Sequence, residues 1–494
     1  MRIPIDPQSD VPIYKQIENY LREGILSGSL ASETRLPATR KLAEDLGVNR
    51  ITVGNAYAEL EADGLVDSRI GSGTYVLAPW RIQPAPEALA DGQWPLWQQD
   101  LRRSGSTSKR DWFLKLLNES RHPNPISFAG GVSDPQRFPV DEFRRILQNV
   151  LRRDGITALE YGDFRGYAPL RSTIAHILAS QGVQVSPDNI LITAGSQQAL
   201  ALVTQLLLKP GDIILVESPT YSEALGLFAD LGLKIVGIPI DENGMQLEKL
   251  ERLLLQYHPK LIYTIPNFQN PSGTCLSGQR RRQLISLADR HNIPILEDDY
   301  VGDLRYEGRA QPALKALDPG GRVIYIGTFS KMLMPGLRVG FLATEGPVYD
   351  SLATFKSFND LATSNLIQRA LEAFVNVGRY QAHLRRSCQA FRKRRDAMMS
   401  AIYRYLPDGT QVYKPQGGLF AWVKLPGKIS CEKLVMFAVE EGVSFTPGTY
   451  FFPDGTSGED CMRLNFSRHA PEDIQEGMIR LRKAIDRMAA RVGW

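Results

Sequence analysis

The 494-residue chain has only four cysteines, Cys275, Cys388, Cys431 and Cys461, and no Cys-x-x-Cys pair among them. That scatter excludes a disulfide scaffold and a cysteine-based zinc site, and it suits a reducing compartment. The six histidines form no H-x-x-x-H or His/Cys cluster, so no metal site is expected. No apolar run reaches membrane-spanning length, and the N-terminus has no signal-peptide-like apolar core, so a soluble cytoplasmic protein is the expectation. A strong charge excess is missing too. The 58 Lys+Arg against 54 Asp+Glu leave +4, too little to imply a nucleic-acid partner or to exclude one. There is no internal repeat or low-complexity tract. What remains is a chain long enough for two or three domains and a large core.

Within that chain, residues 323–342 read VIYIGTFSKMLMPGLRVGFL: two apolar, β-branched runs around a polar loop, which is strand, loop, strand. Lys331 stands in the loop directly after Ser330, and Arg338 precedes the second strand. A lone loop lysine is ordinarily a solvated surface residue. Here the flanking runs put the loop at the end of a buried sheet, where ligands bind in open α/β folds. A partly desolvated lysine has a lowered pKa and can act as an amine nucleophile that forms a Schiff base. Ser330 and Arg338 would hold an anion such as a phosphate beside it.

Residues 123–494 continue the pattern. Strand-like runs at 190–195, 213–218, 234–240, 261–266 and 293–299 alternate with helical stretches, which predicts an α/β domain with a mainly parallel sheet. From about residue 376 a long basic helix followed by short strands predicts a smaller α+β subdomain. The basic run Arg385, Arg386, Arg392, Lys393, Arg394 and Arg395 points several ways on that helix and reads as a solvated face. Gly195-Ser196-Gln197 lies between a strand and a helix, where backbone N–H groups can bind phosphate. Tyr221 follows a strand and could stack on an aromatic ring. Asn270 sits in the turn-rich PNFQNPSG loop and could donate to a ring oxygen. Asp298 closes the strand IPILEDD, where a carboxylate can pair with a protonated pyridine nitrogen; Glu297 and Asp299 leave that choice open by one position. Tyr300, next in line, could also reach the ring oxygen.

Taken in order, G-S-Q, P-x-Y, N-P-S-G, D-D-Y and S-K-(x6)-R resemble the fold-type I pyridoxal 5'-phosphate (PLP) proteins, the aspartate aminotransferase superfamily. The resemblance implies PLP held by Lys331. It implies that Tyr161, in YGDFRGYAPLR, reaches the cofactor phosphate of a partner subunit, hence a homodimer. It further implies that Arg463, in MRLNFS, takes a ligand carboxylate, with Arg468 the nearby rival.

The first 77 residues read differently. Helices over 13–27, 38–47 and from 49 to Gly64 are predicted, with Ile13, Ile17, Tyr20, Leu21 and Ile25 on one face of the first. Pro37 is expected in the first turn of the second helix, and Asn49 as N-cap of the third. Residues 65–77 read as a two-stranded wing around a glycine turn. Such a helix-turn-helix would present Arg50 and Thr52 to bases and phosphates, Arg40 to a phosphate, and Gly71 and Gly73 as places where the wing backbone approaches the minor groove. With eight Lys/Arg against eleven Asp/Glu, a small helical docking domain is the alternative. P-I-Y-x-Q-I, LPATRKLAEDLGVNRITVGNAYAELEADGLV and GSGTYV closely resemble the winged helix of GntR-family regulators. Residues 78–122, rich in Pro, Gly, Ser and charge, read as a linker, with Trp80, Trp94, Trp97 and Trp112 expected to dock on a surface. Its length would let each winged helix lie on the partner subunit.

A GntR-like winged helix joined to an aminotransferase-like domain resembles the MocR subfamily. This implies a DNA-binding, PLP-dependent transcription regulator whose C-terminal domain, 123–494, senses an amino compound or PLP itself. The rival is a working aminotransferase with an accessory domain. Some members of the subfamily carry Arg two residues after the ring-stacking tyrosine; here that position is Glu223, which argues against an ω-amino acid such as GABA.

Overall fold

A computed structural model of the chain describes residues 3–9, 11–69, 72–77, 116, 122–427 and 429–492. The chain divides into two compact units, Met1–Ser104 and Gly105–Trp494. The division falls inside the segment read as a linker, of which only Leu116 and His122 are described; the four tryptophans expected to dock lie outside the described residues.

In the first unit, α1 (Ile13–Leu26) buries Ile17, Leu21 and Ile25 at i, i+4 spacing against α2 (Thr39–Leu46) and α3 (Arg50–Ala62). Tyr20, expected on that face, is 40% exposed. Glu18 is buried instead, and Lys15 and Arg22 each approach its carboxylate at 2.6 Å. A buried carboxylate is tolerable only with such partners. Pro37 lies just ahead of the α2 cap residue Ala38, not in the first turn, and its carbonyl accepts the Tyr57 hydroxyl at 2.8 Å. Gly47 ends α2 in the left-handed region at φ 67°. Asn49 then caps α3 by accepting from the Ile51 N–H at 2.9 Å. The wing is the antiparallel pair β1 (Val66–Arg69) and β2 (Gly73–Val76).

The second unit begins its strands with β3 (Ile126–Ser127), and then builds an eight-stranded sheet. Its members are β4 (Ile190–Thr193), β5 (Ile213–Ser218), β6 (Lys234–Asp241), β7 (Gly244–Met245), β8 (Leu261–Thr264), β9 (Ile295–Asp299), β10 (Val323–Thr328) and β11 (Gly340–Ala343). They lie in the order β4-β11-β10-β9-β8-β5-β6-β7. The pairs from β10 through β6 are parallel; β11 is antiparallel to both neighbours, and β7 is a short antiparallel edge. Strands β4, β8, β9 and β10 are buried along their whole length, as β-branched runs covered on both faces require. No helix among the described residues is long and apolar enough to cross a membrane.

Beyond the helix Arg379–Tyr405, a four-stranded sheet forms in the order β12 (Gln411–Val412), β13 (Phe420–Lys424), β16 (Cys461–Asn465), β15 (Thr446–Pro447). The small subdomain also takes a strand from far upstream: β3 pairs in parallel with β14 (Val443–Ser444). Its long helix is not simply a solvated basic face. Arg394 is buried against Asp134 at 2.6 Å, and fully buried Arg395 bonds Glu307 at 2.9 Å and the Pro415 carbonyl at 2.7 Å.

Candidate functional site

The turn from β4 into the helix Ser196–Leu207 is built around Gly195 at φ 90°. A Cβ there would lie 2.6 Å from Arg338 Nη2, so a bare Cα is what lets the guanidinium cross the turn. Arg338 also donates to the Ala194 carbonyl at 3.0 Å. Gly340, at the start of β11, leaves equal room: its Cβ would come within 2.7 Å of the Ser196 nitrogen. Gln198, one residue beyond the predicted Gln197, closes the turn by accepting from the Ala194 N–H at 2.7 Å. The corner thus presents a helix N-terminus and a guanidinium together. On the same loop as Arg338, the Ser330 hydroxyl is buried with no hydrogen-bond partner among the described residues. This is the chemistry of a phosphate cradle.

Of the three consecutive acids, geometry separates the roles. Glu297 accepts from the Leu314 and Lys315 N–H groups, each at 2.8 Å. Asp299 accepts from Asn267 Nδ2 at 3.1 Å and from the Tyr325 hydroxyl at 2.8 Å. Asp298 takes the Tyr263 hydroxyl on one oxygen at 2.8 Å, while its Oδ1 is buried without a partner among the described residues. Tyr263 escaped the reading of the sequence because it lies one strand away, on β8. Tyr221 occupies the N-cap position of the helix Ser222–Asp230, with no capping bond from its side chain. Tyr300 donates its proton to the Phe268 carbonyl at 3.0 Å, which leaves its oxygen to accept, not donate, at a ring.

Lys331 leaves β10 within electrostatic reach of Asp298, Arg338, Glu223 and Arg463. Burial lowers its pKa first, and the two guanidinia lower it further against the two carboxylates. Gly131 lies beside it, where a Cβ would make ordinary contact with Nζ at 3.7 Å. Arg463 is buried on β16: Nη1 donates to Asn270 Oδ1 at 2.9 Å, Nη2 to the Ala129 carbonyl at 2.8 Å, and Nε has no partner among the described residues. Phe420 and Phe451 face its guanidinium at 4.1 and 4.8 Å. Burial lowers its pKa to about 10. A buried guanidinium held by neutral oxygens has the chemistry to receive a carboxylate. Arg468 is exposed, and Tyr161, 85% exposed, stands on the outer surface.

Burial pushes the Asp298 carboxyl up to about 7, with Asp299 adding to the rise and Tyr263 and Lys331 opposing it. The folded value exceeds the unfolded one of about 3.9. The neutral carboxyl therefore contributes stability that is full below about pH 4 and is lost as pH rises through about 7. For the PLP-free chain we expect the unfolding midpoint to fall between pH 5 and pH 8, and Asp298→Asn to remove part of that fall. An identical pH dependence in Asp298→Asn by calorimetry would show that Asp298 does not carry it.

In the first unit, Arg50 opens α3 exposed, beside a partly buried Thr52 and Ile51, which is 69% exposed. Arg40 is exposed on α2, 3.4 Å from Glu44. Gly73 has a different use from the one expected: at φ 118° its bare Cα receives the Arg35 side chain, and a Cβ would meet Arg35 Nε at 2.7 Å. Gly71 lies outside the described residues.

PLP fits the second unit by donor set. The Gly195 corner with Arg338 and Ser330 would take its phosphate, Asp298 Oδ1 its ring nitrogen, Asn270 Nδ2 its ring oxygen, and Lys331 its aldehyde. The chain matches the aminotransferase class I and II family over residues 131–481 and the gntR family of bacterial regulatory proteins over residues 13–76. It is 34% identical over 475 residues to the uncharacterized HTH-type transcriptional regulator YisV of Bacillus subtilis (strain 168), covering 95% of each chain. It is 32% identical over 485 residues to the probable rhizopine catabolism regulatory protein MocR of Rhizobium meliloti, covering 97% of this chain and 95% of that one. The crystal structure of Pyrococcus horikoshii kynurenine aminotransferase superposes with a TM-score of 0.74 at 37% identity, covering 79% of this chain and 99% of that one. The regulators match through the winged helix, and the aminotransferase matches without it. The chain therefore belongs to the GntR-family transcriptional regulators of the MocR type, in which a DNA-binding winged helix shares one chain with an aminotransferase-like unit whose cofactor is PLP.

Proposed function

We propose that this regulator works as a homodimer whose Lys331 pocket receives PLP and an amino compound bearing a carboxylate, and whose affinity for operator DNA changes with that occupancy. The observation that carries the reading is the set of three buried polar atoms without partners among the described residues, Asp298 Oδ1, Ser330 Oγ and Arg463 Nε, on residues next to or within electrostatic reach of desolvated Lys331. When bound, PLP supplies an electrophilic carbon for amines and a ring that withdraws electrons. The chain's own part is to lower the Lys331 pKa by burial, to offer the open Asp298 oxygen to the ring nitrogen, and to orient a carboxylate on Arg463. Glu223 bears on both Lys331 and Arg463, so a second carboxylate at that end of a ligand would meet like charge. The dimer reading draws support from the surface around Tyr161, where Ile156, Leu159, Phe358 and Leu361 are 76, 67, 83 and 62% exposed. Such a surface suits a second copy of the chain, which would bring Tyr161 toward the partner's phosphate.

The test is fluorescence anisotropy on the DNA upstream of the protein's own gene at fixed salt, with and without PLP and with a panel of amino acids. Selective binding altered by an amino compound supports the reading; an effect of PLP alone makes the domain a sensor of PLP level. A switch requires different ligand affinities in the two states. Arg50→Ala should weaken selective binding by roughly 1–3 kcal/mol if Arg50 reads a base. Unchanged affinity would move recognition off the α3 N-terminus. The aminotransferase reading has one observation in its favour, the likeness of the second unit to a kynurenine aminotransferase at 37% identity and a TM-score of 0.74. Turnover of an amino acid with a 2-oxo acid at about 1 per second or faster would establish it.

A further inference from the structure

The first unit carries more acid than base, yet it binds DNA, so the few cations left unneutralised must matter. Among the described residues of this unit, Lys15 and Arg22 pair with Glu18, Arg22 also with Asp63, Arg40 with Glu44, Lys41 with Asp45, and Arg69 with Asp67. Two cations have no ion pair with a described carboxylate: Arg50, at the start of α3, and Arg35.

Arg35 precedes α2 in sequence, but the chain there belongs to the wing. The Leu36 N–H donates to the Thr74 carbonyl at 2.8 Å, the Glu33 N–H to Val76 at 2.8 Å, and the Val76 N–H to Thr34 at 2.9 Å. Residues 33–36 thus run alongside β2, with Arg35 in an isolated antiparallel bridge to Tyr75. Side chains alternate along β2. Val76, fully buried, faces the helices, so Gly73 and Tyr75 face away from them. Register places Arg35, opposite Tyr75, and Arg69, opposite Gly73, on that outer face. Arg69 is drawn onto Asp67 at 3.0 Å and over the Tyr75 ring at 5.0 Å. Arg35 instead extends across Gly73, the first residue after the turn, whose φ of 118° favours glycine and whose bare Cα leaves room for Arg35 Nε, 2.7 Å from where a Cβ would stand. Its guanidinium therefore sits at the turn end of the wing, exposed and without an ion pair to a described carboxylate.

We propose that Arg35 is a phosphate-binding residue of the DNA interface, seated at the turn end of the wing by the bare Cα of Gly73. The proposal rests on the DNA-binding role of this unit. A contact to phosphate carries no sequence information, so it strengthens selective and non-selective binding alike. The experiment uses the full chain and two labelled duplexes: the sequence that the wild type selects from a randomised pool, and a scrambled duplex of the same composition. Arg35→Ala should lose about five- to tenfold in affinity on both at physiological salt, and the slope of log affinity against log salt should fall by about 1. Arg35→Lys should keep the slope. Unchanged affinity in Arg35→Ala while Arg50→Ala is impaired would overturn the proposal and leave DNA binding standing. A loss confined to the selected duplex would overturn it in favour of base reading. A lowered unfolding midpoint with unaltered DNA binding would make Arg35 a packing residue of the wing. Wild-type protein that binds neither duplex would remove the premise itself.

Discussion

Lys331→Ala is expected to abolish covalent retention of PLP completely, while the chain stays folded. Borohydride treatment of the wild type should fix the cofactor to the peptide containing Lys331; the variant should yield no labelled peptide and no visible absorption from bound cofactor after gel filtration. Two features single out this lysine. Burial and the guanidinia of Arg338 and Arg463 lower its pKa, so a larger fraction is the uncharged nucleophile near neutral pH than for a solvated lysine. Its surroundings are also complementary to the rest of the cofactor, with the Gly195 corner on one side and Asp298 on the other. Truncation relieves an ammonium group from a partly desolvated site and leaves no unpaired charge behind, so large destabilisation is not expected. Residual non-covalent binding through the phosphate corner is compatible with this account. A retained, borohydride-reducible adduct in Lys331→Ala would transfer the role to another amine and sink the assignment.

How far the sequence alone reaches is plain from particular residues. The seven predicted strands of the large sheet were legible because the strands of a mostly buried, mainly parallel sheet are written as short β-branched runs. The candidate site residues were legible as an ordered series along the chain, most of them at or just beyond the end of a strand. Partnerships across the sheet were not legible. Tyr263 on β8 answers Asp298 on β9, and Gly340 on β11 makes room for Ser196, because strand order joins residues far apart in the chain. Glu18 displaced Tyr20 from the buried face of α1 because two cations neutralise it, which no hydropathy period reports. Arg394 and Arg395 are buried for the same reason, by Asp134 and Glu307. Gly73 looked like a place for DNA to approach, and its neighbour turned out to be Arg35, from a segment nearly forty residues earlier.

Arg463→Gln should remove the response to a carboxylate-bearing effector while PLP is still retained. Losing one member of a buried, hydrogen-bonded charge pair costs roughly 2–5 kcal/mol, or about 30- to 5000-fold in affinity. The effect belongs at the high end because Arg463 is buried, it donates to the neutral oxygens of Asn270, Ala129 and Thr446, and its Nε has no hydrogen-bond partner among the described residues. Glutamine keeps a donor for Asn270 Oδ1, so the loop that carries Asn270 should hold its place and PLP retention should survive. That split separates a ligand receptor from a structural arginine, whose loss would lower cofactor binding and effector response together. Arg468 provides the control, since it is exposed and Arg468→Gln should leave both properties intact. Isothermal titration of the PLP-loaded protein with the effector found by the anisotropy screen, repeated on both variants, decides the matter. Undiminished affinity in Arg463→Gln, or its loss in Arg468→Gln, would place the carboxylate on the outer residue and leave the buried guanidinium to fasten Asn270 to the segment around Ala129.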